Sequence, residues 1–105
     1  VKAFELATMG SKIKGKQAFE IGLVNKVVPL ADLDNAVTEY TDYYANAPTK
    51  AIGIMKKMLN KSGNASLDEM LDYEAYSQEI AGSTSDYLEG VAAFKEKRKP
   101  TFKGR

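Results

Sequence analysis

The 105-residue sequence is 44% hydrophobic and 28% charged with a net charge of +1, proportions of a globular chain that argue against a disordered segment. No apolar run approaches the roughly 20 residues that a bilayer demands. Cysteine and histidine are both absent, which removes disulfides, thiol nucleophiles, imidazole bases and the usual zinc ligands, and leaves any acid–base chemistry to carboxylates, lysine or tyrosine.

The length fits one structural unit with a modest core. The lack of cysteine and of a charged-then-apolar leader fits a cytoplasmic location. Val1 in the first position fits a chain whose beginning lies elsewhere.

Residues 2–8 have helical composition and stop at Met9-Gly10, where glycine can take the left-handed conformation that closes a helix. A short helix is predicted over 16–21, ended by Gly22. The β-branched run 23–28, bounded by Pro29, reads as one short strand. From Asp32 onward the pattern is helical, with Leu33, Ala36, Val37, Tyr40 and Tyr44 on one face. Pro48 separates that helix from one over 49–60, predicted to bury Ile52, Met55, Met58 and Leu59 and to expose Lys56, Lys57 and Lys61.

Ser66-Leu67-Asp68-Glu69 spells a capping box and opens a helix to about residue 81. Its apolar stripe Leu67, Met70, Leu71 runs on through Glu74 and Gln78. An inward carboxylate there requires a cation or amide donors, for which the next helix start at Ser85 is a candidate; otherwise both polar groups reach water. A break at 82–84 precedes the last helix, 85–98, with Tyr87, Leu88, Val91 and Phe94 on one side and Pro100 beyond its end. The fold expected is mostly α, about five helices with a single strand.

No phosphate loop, dinucleotide fingerprint, metal cluster or nucleophile elbow occurs. Ser66 faintly resembles the phosphopantetheine-bearing serine of carrier domains, but Ala65 stands where those have aspartate, so capping is its expected role. In the last eleven residues six cations oppose only Glu96, giving +5 against −4 for the rest. Such a tail suits a phosphate-bearing ligand, a nucleic acid or water. Phe94 and Lys97, three apart, set an aromatic face beside a cation, a pair able to stack on an adenine and meet a phosphate. A helical stripe also makes such a pair from a core ring and a solvated rim.

The order Asp86, Glu89-Gly90, Ala93-Phe94, Lys97-Arg98, Pro100, Phe102 closely resembles the carboxy-terminal signature of the enoyl-CoA hydratase/isomerase, or crotonase, family. The resemblance extends upstream through Glu5-Leu6, Gly10, Gly22-Leu23-Val24-Asn25, Val27-Val28-Pro29, Pro48, Lys56, Glu74 and Gln78. Within the family, Gln78, Ala81-Gly82, Asp86-Tyr87 and Glu89-Gly90-Val91 look more like the phenylacetate-pathway enoyl-CoA isomerases than the short-chain hydratases.

The resemblance implies the terminal helical domain of a crotonase-type α/β fold. In it, residues 1–31 link from a catalytic core outside this chain, and 32–105 form an oligomerisation and CoA-contact region. It implies an enzyme acting on acyl-CoA thioesters in fatty-acid or aromatic-acid metabolism. The oxyanion hole and catalytic carboxylates would lie outside this chain, so no residue here is assigned a catalytic or metal-binding role. Phe94 and Lys97 would contact the adenine and phosphate of CoA, with no other cofactor. Trimers or hexamers are implied for the whole enzyme, and a dimer or trimer for this chain alone; neither nucleic acid nor membrane is an expected partner. The alternative is a free-standing helical interaction domain without activity.

Overall fold

The computed structural model describes residues 1–105. Six α-helices follow in order, α1 Lys2–Met9, α2 Gly15–Glu20, α3 Leu33–Ala45, α4 Thr49–Ser62, α5 Leu67–Gly82 and α6 Ser85–Glu96, with a 3₁₀ turn at Leu30–Asp32 ahead of α3. The mostly α expectation holds. Packing divides the chain into two units, Val1–Val37 and Thr38–Arg105, so that the division falls inside α3.

In the first unit each short helix is closed by a glycine. Gly10 ends α1 with φ 61. After α2, Gly22 has φ 74. There the Gly22 amide donates to the Phe19 carbonyl and the Leu23 amide to that of Ala18, the paired bonds that satisfy the last carbonyls of a helix. The strand expected at 23–28 does not form: residues 23–25 make a bend and 26–29 have no regular structure. β-Branched side chains favour a pleated surface only when a neighbouring strand completes the ladder, and this chain has no second strand.

In the second unit the capping box at the start of α5 forms as its residues dictate. The Ser66 hydroxyl oxygen accepts the Glu69 amide at 3.3 Å, and the Glu69 carboxylate accepts the Ser66 amide at 2.7 Å. Those bonds from Ser66 hold the Glu69 carboxyl below its ordinary range. α5 packs against α4 and α6, and across the helix Lys61 of α4 sits 4.6 Å over the Tyr73 ring.

The face α5 turns inward is not the stripe read from sequence. Ser77 is buried and Met70, Tyr73, Ile80 and Ala81 are half-buried, whereas Leu67, Leu71, Glu74 and Gln78 are exposed. No cation or amide is therefore needed to offset Glu74. On α4 the half-buried residues of the middle turns are Ala51, Ile52, Ile54 and Met58, while Met55 and Leu59, expected inside, are exposed.

The apolar side chains buried are Ala18, Ala47 and Ala93. Every large one keeps solvent contact, and Leu67, Leu71, Tyr87, Leu88, Val91 and Phe94 are all exposed. The amphipathic patterns are real, but within this chain their apolar sides have nothing to cover them.

Candidate functional site

The site sequence reasoning singles out lies where α6 ends and the chain turns back along it. Thr84 caps α6, its hydroxyl oxygen accepting the Tyr87 amide at 3.1 Å. Within the first turn, the buried Asp86 carboxylate accepts the Lys103 amide at Oδ1 and the Gly104 amide at Oδ2, each at 2.7 Å. The Asp86 amide in turn donates to the Arg105 carbonyl at 3.0 Å, and the Ser85 hydroxyl donates to that same oxygen. The last five residues are thereby fastened to the first turn of α6, with two amides offsetting the desolvation of the carboxylate.

A second fastening lies one turn further on. Glu89 accepts two bonds from the Arg98 guanidinium, 2.6 Å at Oε1 and 2.9 Å at Oε2, and its Oε1 also accepts the Thr101 amide at 2.7 Å. Between the two fastenings the Phe102 ring lies against Gly90, close enough that a Cβ placed there would touch it at 3.7 Å. Asp86, Glu89-Gly90, Arg98 and Phe102, all members of the signature quoted above, are the parts of one device that folds the tail onto the helix.

Hydrogen bonds from Arg98 and from the Thr101 amide hold the Glu89 carboxyl at about 2, well below its usual 4.5. Those same bonds to Glu89, with one to Glu96, push the Arg98 guanidinium further up. Because the folded value is depressed, the stabilisation is complete above about 4.5 and is lost as pH falls toward 2. Carbon-detected NMR of the Glu89 carboxylate should accordingly give a midpoint near 2. A midpoint at the ordinary value would show that the pair does not hold in solution.

Phe94 stands on the last turn of α6 and is 85% exposed. It borders an apolar groove of about 540 Å³ whose walls include Ala51, Val91 and Phe102, with Lys50 and Lys95 also lining it. Lys97 does not line that groove. α6 ends at Glu96, two residues short of the expected end, and Lys97 follows in the left-handed conformation with φ 55 and ψ 37. The two residues predicted to share a helical face therefore flank a helix end, one on its last turn and one just past it. Left-handed geometry costs an L-residue roughly 1–2 kcal/mol.

Lys95, one of the six cations of the tail, is the cation of this last turn that lines the groove. Its position on the helix, one residue from Phe94, gave no sign of that, because neighbouring residues point to different faces. Asp86 was recognisable only as a member of the signature; its partners are 17 and 18 residues away, beyond any local pattern. A larger cleft of about 720 Å³, bordered by Tyr40, Tyr43, Tyr44, Lys99 and Phe102, contains neither Phe94 nor Lys97. No group of acidic residues suited to hold a metal ion occurs, and no helix is long and apolar enough to cross a membrane.

Residues 1–105 match the family model described as Enoyl-CoA hydratase/isomerase. The chain is 36% identical over 104 residues to the 1,2-epoxyphenylacetyl-CoA isomerase of Escherichia coli K12, covering 99% of this chain and 40% of that protein. It is 35% identical to the short-chain-enoyl-CoA hydratase of Clostridium acetobutylicum, covering 98% of this chain and 40% of the relative. The crystal structure of an enoyl-CoA hydratase from Bacillus anthracis superposes with a TM-score of 0.89 at 35% identity, covering 99% of this chain and 40% of that one. The chain thus spans about 40% of the length of the relatives it matches.

Proposed function

Since the chain belongs to the enoyl-CoA hydratase/isomerase family, we propose that it is the terminal helical part of an enzyme acting on enoyl-CoA thioesters, and that Phe94 and Lys97 contribute to holding the CoA moiety. Proton transfer next to a thioester carbonyl requires amide donors aimed at the developing enolate oxygen and a carboxylate to move the proton. In this reading both belong to the portion of the enzyme outside these residues. The part played here is to bind the distal end of the substrate, whose binding energy orients the reacting end.

One observation carries the assignment: an exposed aromatic ring borders an apolar groove next to a run of cations, on a chain matched by the family model from its first residue to its last. An adenine stacked on Phe94 and a phosphate near Lys97 are the ligand groups that fit these side chains. The reaction is hydration or double-bond isomerisation, and the relatives at 35% and 36% identity represent a hydratase and an isomerase. CoA enters as part of the substrate, and the proposal places the enzyme in the cytoplasm.

Phe94→Ala and Lys97→Ala in the full-length enzyme are each expected to weaken CoA binding about tenfold, the scale of one stacked base or one charge-assisted contact. Unchanged dissociation constants by calorimetry would rule the assignment out. The exposed apolar sides of α3, α5 and α6 support a further part of the proposal, association of this region into a dimer or trimer. Light scattering that gives a clean monomer at high concentration would reject it.

A further inference from the structure

Three helices of this chain end on a left-handed residue, and two of them use glycine, Gly10 after α1 and Gly22 after α2. α6 ends with the same pair of bonds as α2: the Lys97 amide donates to the Phe94 carbonyl at 3.3 Å and the Arg98 amide to that of Ala93 at 3.0 Å. Yet the left-handed position is a lysine, the one non-glycine residue with positive φ. Helix termination alone is better served by glycine, which adopts this conformation without a steric penalty. A side chain kept in a disfavoured conformation points to a use for that side chain, provided the surroundings hold it there.

The surroundings that do so are on the next residue. Arg98 forks onto both oxygens of Glu89 at 2.6 and 2.9 Å and places its Nε 2.6 Å from Glu96. Glu89 also binds the Thr101 amide, so the chain on the far side of Lys97 is tied at two points to a residue eight positions upstream on α6. The side chains of Arg98 and Glu89 are 40% and 24% exposed. An ordinary surface pair of that exposure contributes little, but a two-pronged guanidinium–carboxylate contact fixes geometry as well as charge.

We propose that the Glu89–Arg98 pair is a positioning device for Lys97, fixing the left-handed exit of α6 from which the lysine side chain meets the phosphate of CoA. This rests on the CoA reading given above. Glu89 and Arg98 touch no ligand in this scheme; they act through the backbone of Lys97.

The test is calorimetric binding of CoA to the full-length enzyme carrying Glu89→Gln, Arg98→Gln, Arg98→Lys, Lys97→Ala, Lys97→Gly and the Glu89→Gln/Lys97→Ala double substitution, with thermal unfolding measured on each. Glu89→Gln and Arg98→Gln should weaken CoA binding five- to tenfold, and Arg98→Lys, which keeps the charge but not the fork, should recover only part of it. In the Lys97→Ala background Glu89→Gln should add no more than a factor of two, because the group it positions is gone. Lys97→Gly should unfold at a higher temperature than the parent while binding CoA as weakly as Lys97→Ala. The positioning role is overturned if Glu89→Gln weakens binding by the same factor with and without Lys97, or leaves binding unchanged while Lys97→Ala reduces it. If Lys97→Ala itself binds CoA normally, the CoA site falls and this inference with it.

Discussion

Replacing Asp86 with alanine should release the last residues from α6 and lower the unfolding free energy by about 3 kcal/mol, the upper end for bonds to a charged acceptor. The carboxylate is 5% exposed and accepts two backbone amides at 2.7 Å. Removing it leaves both amides to find water and strips the Asp86 turn of the anchor that also brings the Arg105 carbonyl to the Ser85 hydroxyl. Asp86→Asn should cost roughly half as much, since the amide oxygen still accepts one bond whereas its NH₂ faces the other donor. Urea denaturation gives the free energies. Hydrogen exchange at Lys103 and Gly104 gives the local effect, and exchange that stays slow in Asp86→Ala would refute the anchoring role.

Gly104→Ala should be the next most damaging change, at about 2 kcal/mol, with two separable causes. Gly104 has φ 73, and a Cβ there would lie 2.5 Å from the Thr49 hydroxyl oxygen at the start of α4. Thr49 is branched at Cβ and has few rotamers in which to yield. The double substitution Gly104→Ala/Thr49→Ala removes the collision and leaves only the backbone strain, so it should recover about half of the loss. If it recovers nothing, the collision is not the cause. These changes and Asp86→Ala act on one structure, the tail laid on α6, and their effects should not add fully.

This fastening links stability to the candidate ligand site. Phe102 reaches the groove beside Phe94 because the tail is held at both ends, by Asp86 and by Glu89. Glu89 ties down the end nearer Lys97, and Asp86 ties down the far end.

Local chemistry made much of this protein readable from its residues. Ser66 and Glu69 can satisfy each other's amides only at a helix start, Gly10 and Gly22 offer the left-handed conformation at no steric cost, and Pro48 cannot continue a helix. Each of these features acts within four residues, and each appears where its chemistry requires. The carboxy-terminal signature likewise placed the chain in its family before its geometry was known.

What depended on distant partners was not readable. The β-branched run at 23–28 has the composition of a strand, but a strand is a relation between two segments and the second is not in this chain. The buried side of α5, with Ser77 inward and Leu71 out, depends on packing against α4 and α6. Lys97 left its helix because Arg98 closes back on Ala93 and Glu89. Residue types fixed where helices begin and end; packing across 9 to 18 residues decided which faces are covered, where the tail lies and how the lysine at the site is held.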